Sequence, residues 1–339
     1  MSTLALIGNS KSGTISGLRV EDSRLHPVAE TEVGAGCSTF AIDHERGLVY
    51  SATKEPAVVT LRIDPATGTL TELHRRLIDD AAAYLALATP PGGEPILLVS
   101  SYHGGWGASF ALSDGAVGAE ISRFQYRNIH AGIADPAGAN AYFASLGDDL
   151  IAQFRMTPEG ALTPLAEPTV ACPPGSGPRH LVLSADERSV YLLTEFTGEA
   201  IRFERAADGA LTRAESAPGF DPAADLGVSA YGLNPREGHL IWAADLSLTR
   251  GEEWLLTTER TESTIGAIRL DGGRLTQELV ITPTETQPRG IAVAPDGVHV
   301  IALGELSGAA ALYRLGDDGH LVQLDRIETG EGPNWVRFV

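Results

Sequence analysis

The stretch that decides the fold is HLVLSADERSVYLL at residues 180–193, which returns as GIAVAPDGVHVI at residues 290–301. Each copy has an apolar strand pattern, a tight turn built on Asp, Pro or Gly, and a second apolar strand pattern. Related phrases are spaced by 45 to 50 residues, except for one interval of 64, and begin at Cys37, Tyr84, His130, His180, Ala244, Gly290 and Trp335. A period in the forties with strands inside each repeat predicts an all-β fold, a seven-bladed β-propeller.

The two ends of the chain predict how the ring closes. Residues 3–8 and 12–20 match the second and third strands of a blade, whereas residues 335–339 match a first strand with nothing after it. One C-terminal strand is therefore expected to complete the blade that the N-terminal strands form, which removes exposed sheet edges. The long interval after His180 predicts an extended loop at about residues 215–240, where functional insertions tend to lie. Residues 1–339 are interpreted as one propeller domain.

The composition limits the classes of partner. The chain has 25 basic and 44 acidic residues and a net charge of −19, which repels nucleic acid and anionic lipid, so neither is expected as a partner. No apolar run approaches the roughly 20 residues of a membrane helix, and the first residues match a strand and no signal peptide. Cys37 and Cys172 offer neither a disulfide framework nor metal-ligand spacing. We expect a cytoplasmic protein, monomeric or weakly dimeric, with no cofactor and no metal. A calcium site built from scattered carboxylates is left open.

Blade geometry gathers charged side chains at one mouth of the ring. In a four-stranded antiparallel blade, the first strand begins and the second strand ends on the same face. Residues at first-strand starts are His130, Arg179, His180, Arg289 and Trp335, and those at second-strand ends are His103, Glu195, Glu259, Arg260 and Glu305. Such histidines, carboxylates and arginines are what acid–base chemistry on an anionic substrate requires. Arginine suits this task because its planar fork holds a carboxylate or phosphate through two hydrogen bonds.

Other chemistries lack their signatures in this sequence. It contains no Gly-x-Ser-x-Gly elbow of a serine hydrolase and no phosphate-cradling glycine loop. The Trp-Asp and Gly-His dipeptides that mark the repeats of the commonest scaffold propellers are also absent. A propeller that only binds other proteins is therefore less expected.

Five strings in the second half of the chain carry a resemblance: GPRHLVL at 177–183, YLLTEF at 191–196, WAAD at 242–245, PTETQPRG at 283–290 and GEGPNWV at 330–336. They resemble the seven-bladed β-propeller lactonases, a family that includes bacterial 6-phosphogluconolactonases and fungal carboxymuconate lactonizing enzymes. The resemblance implies His130, Arg179, Glu195 and Arg260 as the catalytic groups. Two departures are Ala131, where a Ser is usual, and Ala83-Tyr84-Leu85, where the phosphogluconolactonase branch has a His.

The leading hypothesis is a lactonase that hydrolyses 6-phosphogluconolactone or a related small anionic sugar lactone. Arg179, Arg260 and Arg289 would hold the anion and polarise the lactone carbonyl, with His180, His103, Glu305 and Trp335 as further substrate-binding residues. One of His130 and Glu195 would activate water, and the other would protonate the leaving ring oxygen. Two alternatives stay open: a cycloisomerase that closes a carboxylated muconate, and a non-catalytic propeller that binds a ligand or protein.

Overall fold

The computed structural model describes residues 2–339, which form 28 strands in seven four-stranded antiparallel sheets. Each sheet is one blade, and strands follow one another outward from the axis of the ring. The seven-bladed β-propeller predicted from the repeat is thereby confirmed.

Blade 1 combines the two ends of the chain, and blades 2 to 7 follow in chain order. Blade 1 contains β28 (Pro333–Phe338), β1 (Thr3–Asn9), β2 (Thr14–Glu21) and β3 (Arg24–Glu32). Blade 2 contains β4 (Phe40–Asp43), β5 (Leu48–Thr53), β6 (Ala57–Ile63) and β7 (Leu70–Leu77). Blade 3 contains β8 (Tyr84–Ala88), β9 (Ile96–Ser101), β10 (Trp106–Ser113) and β11 (Ala116–Gln125). Blade 4 contains β12 (Ile129–Ala134), β13 (Asn140–Ser145), β14 (Leu150–Met156) and β15 (Leu162–Ala171).

Blades 5 to 7 are the last three in chain order. Blade 5 contains β16 (Pro178–Leu183), β17 (Ser189–Thr194), β18 (Glu199–Arg205) and β19 (Leu211–Pro218). Blade 6 contains β20 (Ala243–Leu248), β21 (Trp254–Glu259), β22 (Thr264–Asp271) and β23 (Arg274–Pro283). Blade 7 contains β24 (Pro288–Val293), β25 (His299–Gly304), β26 (Ala309–Leu315) and β27 (Leu321–Glu328).

The ring closes through β28, as the sequence predicts. This strand pairs antiparallel with β1, so that Phe338 lies opposite Ala5 and Trp335 opposite Gly8. The contact places the C-terminal strand innermost in blade 1, where it supplies the first-strand position that the N-terminal segment lacks.

The core lies between neighbouring blades. Alternate residues of one strand point to opposite faces of its sheet, and in β1 the two faces meet two different neighbours. Leu6 packs in a cluster with Val49 of blade 2, whereas Ile7 joins Ile301 of blade 7. Second strands such as β5 and β17 are therefore buried along their whole length, while the outermost β7 is mostly exposed.

The long loop lies between β19 and β20 and spans residues 219–242, slightly later than the 215–240 expected from the sequence. Glu215 belongs to β19, where its carboxylate accepts a hydrogen bond from Arg202 Nε at 2.6 Å. The insertion contains a 3₁₀ turn (Pro222–Ala224) and the one-turn helix α1 (Pro235–Gly238). Across residues 2–339, no helix is long and apolar enough to cross a membrane.

Candidate active site

A cavity of about 550 Å³ lies at the mouth of the ring, on the face where first strands begin. Eight of the nine predicted site residues line it: His103, His130, Arg179, His180, Glu195, Arg260, Arg289 and Trp335. With Lys54, the wall contains four cations and one carboxylate, Glu195. The cavity is therefore a locally cationic region in a chain with a net charge of −19.

β-Bulges turn several of these side chains towards the cavity. In blade 4 the register of β12 against β13 shifts by one residue, and His130 is the extra residue. The same shift occurs in three further blades at Arg179, Arg289 and Asn334, all of which line the cavity. A bulge interrupts the regular alternation of a strand and can re-aim a side chain, which explains why bulges are common next to functional sites.

Glu195 links two buried arginines at the cavity wall. Its Oε2 accepts a hydrogen bond from Arg179 Nε at 2.9 Å, and its Oε1 lies 3.3 Å from Arg260 Nη2. The indole Nε1 of Trp242 donates to the same Oε1 at 3.1 Å. Burial alone would raise the pKa of Glu195, but Arg260 and Arg179 outweigh it and lower that pKa below its usual value. Glu195 is thus an anion with both oxygens occupied.

Arg179 and Arg260 each keep one nitrogen for a ligand. Arg179 donates through Nε and Nη1, and Arg260 through Nε and Nη2, to side-chain and main-chain acceptors of blades 5 and 6. Within residues 2–339, Arg179 Nη2 and Arg260 Nη1 have no such acceptor. Burial lowers the pKa of Arg260 to about 9, so its guanidinium is still charged at neutral pH. Charged N–H groups of both side chains remain available at the cavity.

Glu305 does not line the cavity, contrary to its predicted role as a substrate-binding residue at the mouth. It lies behind Arg289 with 9% of its surface exposed. Its Oε1 accepts a hydrogen bond from Arg289 Nη1 at 3.0 Å, and its Oε2 accepts one from Gln287 Nε2 at 2.6 Å. The carboxylate is buried beneath the guanidinium because these two donors replace water. Arg289, with 34% of its side chain exposed, is the more accessible cation.

His130 has a neutral imidazole. It is 8% exposed, and burial together with the positive charge of Arg179 lowers its pKa well below 6.5. Its Nδ1 is buried and has no hydrogen-bond partner within residues 2–339. Nε2 is therefore the nitrogen that can reach a ligand. The ring is held edge-on against His180 and Tyr102, with centroids 5.1 and 5.5 Å away.

Two rings, those of His180 and Trp335, form the floor of the cavity and rest against a third, Tyr84. His180, Trp335 and Tyr84 pack edge to face with centroids 5.1 to 5.8 Å apart. The indole Nε1 of Trp335 donates to the main-chain oxygen of Phe40 at 2.9 Å, so only its ring is free to contact a ligand. A smaller cavity of about 270 Å³ lies on the other side of Tyr84. His103 lies at the rim, where it packs on Tyr102.

Ten further lining residues were not assigned to the site from the sequence, among them Ser10, Lys54, Tyr102 and Trp242. Ser10, Lys54 and Tyr102 directly follow the second strands β1, β5 and β9, as Glu195 follows β17. The signal was therefore present in the repeat, because the position after the second strand faces the cavity in these blades. Trp242 ends the insertion, which has no counterpart in the other blades, so the repeat gives no signal for it.

A larger groove of about 1030 Å³ lies between blades 5 and 6 and includes their Ser184–Ser189 and Arg250–Glu253 turns. These turns join first to second strands, so the groove is on the opposite face. Its buried Arg202 forms ion pairs with Glu204 and Glu215, which neutralise the charge of the guanidinium. The mouth cavity is therefore the stronger candidate for a catalytic site. No group of three or more His, Cys, Asp or Glu side chains suited to a metal ion is present in the described part of the chain.

The chain is similar to known proteins along most or all of its length. The family model described as "Lactonase, 7-bladed beta-propeller" matches residues 4–338. A 6-phosphogluconolactonase from Serratia proteamaculans is 27% identical over 347 residues, covering 100% of this chain and 99% of the relative. A 6-phosphogluconolactonase from Cronobacter sakazakii is 28% identical over 298 residues, covering 86% of this chain and 84% of the relative.

A solved structure gives the same result at the level of the fold. The periplasmic gluconolactonase of Pseudomonas aeruginosa superposes with a TM-score of 0.87 at 21% identity, covering 100% of this chain and 99% of that one. At this identity the likeness shows the fold alone.

Proposed function

The chain belongs to the family of seven-bladed β-propeller lactonases, and on that premise we propose that it hydrolyses the δ-lactone of a phosphorylated sugar acid such as 6-phosphogluconate. The observation that carries the proposal is the neutral His130 in the same cavity as three arginines. The names of the two 6-phosphogluconolactonase relatives support the substrate class. A cytoplasmic location also stays a prediction.

The three arginines bind different parts of the substrate. Arg289 is the most exposed of the three and is held through one nitrogen by Glu305, so it is the side chain we assign to the phosphate. Arg179 and Arg260 are fixed in the wall and direct their free N–H groups to the lactone carbonyl oxygen. Fixed cationic donors stabilise the negative charge that develops on that oxygen when water adds, because they need no reorganisation.

His130 moves the proton in this mechanism. Its Nε2 accepts a proton from water as the water oxygen bonds to the carbonyl carbon. The resulting tetrahedral intermediate collapses, the bond from that carbon to the ring oxygen breaks, and the imidazolium returns the proton to the leaving oxygen. The product is the open sugar acid. Glu195 transfers no proton here, because its low pKa and two occupied oxygens suit it to positioning Arg179 and Arg260.

The test is hydrolysis of freshly made 6-phosphoglucono-δ-lactone and glucono-δ-lactone, each measured against its spontaneous rate. We expect the phosphorylated lactone to be preferred and Arg289→Gln to reduce that preference about 10- to 100-fold, since a charge-assisted hydrogen bond is lost. His130→Asn should lower the rate of the chemical step by roughly 10²–10⁴. The matched control His26→Asn changes an exposed histidine on the outer strand β3 and should retain full activity.

Two outcomes would contradict the proposal. The first is that neither lactone is hydrolysed faster than it is spontaneously. The second is that 3-carboxymuconate is cyclised while both sugar lactones are left unchanged, which would indicate the cycloisomerase.

A further inference from the structure

A buried pair of residues beneath Arg179 has no role in the mechanism above. His180 follows Arg179 in blade 5, and Asp245 comes from β20 of blade 6; each is 3% exposed. Nδ1 of His180 lies 2.7 Å from Asp245 Oδ1. Nε2 of His180 lies 3.1 Å from Arg179 Nη1. The imidazole thus bridges a carboxylate and a guanidinium.

The chemistry of these neighbours fixes where the hydrogen lies. A guanidinium only donates hydrogen bonds, so Nε2 of His180 must accept from Arg179. An ionised carboxylate only accepts, so Nδ1 of His180 must carry the hydrogen and donate it to Asp245. The main-chain N–H groups of Leu246 and Ile291 also donate to that carboxylate, at 3.0 and 3.1 Å, which favours its ionised form. His180 is therefore the neutral tautomer protonated on Nδ1.

A protonated His180 would not fit this arrangement. Its Nε2–H would point at the N–H group of Arg179, and two donors would face each other in a buried site. Burial and the charge of Arg179 lower the pKa of His180 to about 4, in agreement with a neutral ring. Both nitrogens are occupied, so His180 lines the cavity but cannot serve as a base.

We propose that Asp245 and His180 are positioning residues that hold Arg179 in its reactive orientation through a chain of hydrogen bonds, Asp245–His180–Arg179–Glu195. The role rests on the proposed function, in which Arg179 polarises the lactone carbonyl. Asp245 selects the tautomer of His180, His180 accepts from Nη1 of Arg179, and Glu195 accepts from Nε. With these two nitrogens fixed, Nη2 is aimed at the cavity.

The expected size of the effect follows from geometry. Arginine has a long flexible side chain, and a displacement of about 1 Å in a group that binds the reacting atoms costs about 10²-fold in rate. A carboxylate that fixes a histidine tautomer acts in the same indirect way in the serine protease triad. Asp245 is thus expected to influence the reaction without touching the substrate.

The first test measures the tautomer and needs no activity. Protein labelled with ¹⁵N-histidine is examined by long-range ¹H–¹⁵N NMR, and the His180 signals are assigned by their loss in His180→Gln. We expect the Nδ1–H tautomer at neutral pH. An Nε2–H tautomer, or a protonated ring, would overturn the proposal.

The second test compares two substitutions of similar size. His180→Gln can place an amide oxygen near the position of Nε2 and still accept from Arg179. His180→Asn can donate to Asp245 but leaves Arg179 Nη1 without that acceptor. We expect kcat/KM to fall less than about tenfold for Gln and about 10²-fold for Asn. Equal losses in the two variants would contradict positioning through Arg179.

A double-mutant cycle decides whether Asp245 acts through Arg179. Asp245→Asn is expected to lower kcat/KM about tenfold or more in the natural chain. In an Arg179→Lys background it should lower kcat/KM less than about twofold, because the hydrogen bonds that join Asp245 to Arg179 are already lost. Additive losses would overturn the proposal.

The experiments also separate this proposal from the proposed function. If the natural chain accelerates no lactone, the proposed function fails, and the NMR result still tests the chain of hydrogen bonds. If lactones are hydrolysed but the tautomer of His180 is Nε2–H, the positioning role of Asp245 and His180 is wrong and the proposed function stands.

Discussion

At the residue scale, the cavity depends on how buried charges are neutralised. Arg179 and Arg260 are each 2% exposed, and Glu195 is the carboxylate that both share. Removing one partner of a buried ion pair usually costs more than the pair contributes, since it leaves an uncompensated charge. Glu195 therefore stabilises the fold and orients the two cations at the same time.

Glu195→Gln tests this double role. We expect kcat/KM to fall about 10- to 100-fold, because the arginines lose their common anchor, and the free energy of unfolding to fall by about 3–5 kcal/mol. Inorganic phosphate should stabilise the variant more than the natural chain by replacing the missing anion. Steady-state kinetics, urea unfolding and thermal melts with and without phosphate measure these effects.

The pH–rate profile separates positioning from proton transfer in this variant. If Glu195 only positions the arginines, the acid limb of kcat/KM is unchanged in Glu195→Gln, because the titrating base is His130. Loss of that limb would show that Glu195 itself moves the proton.

At the element scale, two devices bring side chains into the cavity. Bulges in inner strands present His130, Arg179 and Arg289, and the insertion between β19 and β20 presents Trp242. The indole of Trp242 donates to Glu195, and its ring lies 3.9 Å from the guanidinium carbon of Arg260. The insertion thus completes the wall of a site that the repeat alone leaves open.

Trp242→Phe isolates the indole N–H from the ring. We expect the free energy of unfolding to fall by about 1–2 kcal/mol, since a hydrogen bond to a carboxylate is lost while packing on Arg260 remains. The kcat/KM should fall several-fold. Urea unfolding and lactone kinetics measure the two effects.

Trp254→Phe is the matched control for this change. Trp254 is buried whereas Trp242 is half-buried. Both have an arginine over the ring, but Nε1 of Trp254 has no hydrogen-bond partner in residues 2–339. Removing that N–H should leave activity unchanged, although the smaller Phe ring leaves a cavity in the core. If the two substitutions have the same effect on kcat/KM, the indole of Trp242 does not support the site.

At the scale of the whole molecule, the ring is held by a single strand that joins its ends. β28 forms the inner edge of blade 1 and packs beside blade 7, where Val336 shares a core cluster with Leu303. Closure pairs the edge of β1 that would otherwise be left open. The same strand carries Trp335, so closure and the cavity floor are formed together.

Deletion of residues 334–339 should open the ring. Burial of Trp335 and Val336 alone contributes about 3–6 kcal/mol, so we expect a large fall in melting temperature by circular dichroism. Deletion of Val339 alone is the control and should lower it little, because that residue is only partly buried. Equal melting temperatures for the two truncations would argue against closure through β28.

Stability should also depend on pH through His180. Its pKa is about 4 in the folded chain and about 6.5 when unfolded, so the unfolded state binds more protons between these values. The free energy of unfolding should therefore decrease by about 3 kcal/mol as the pH falls from 6.5 to 4. Urea unfolding across this range measures the slope.

His180→Gln should reduce that slope, whereas His26→Gln, at an exposed position on β3, should not. His130 has the same direction of shift and keeps part of the slope in the His180 variant. An unchanged slope in His180→Gln would contradict a neutral buried His180.

The sequence by itself determined the seven blades, their closure and the face on which the site lies. These follow from strand alternation and repeat length, which are local properties of the chain. Because equivalent positions in a propeller meet at one mouth, the repeat also placed His130, Arg179 and Glu195 together.

Only the tertiary structure decided what each side chain contacts there. Trp242 meets Glu195 across 47 residues, and His180 meets Asp245 across 65, so no local pattern reports either contact. One-residue bulges turn Arg179 and Arg289 to the cavity. Hydrogen bonds from Arg289 and Gln287 hold Glu305 behind Arg289, away from the cavity. Register shifts and buried ion pairs depend on neighbouring strands and blades. They are therefore fixed only when the ring is assembled.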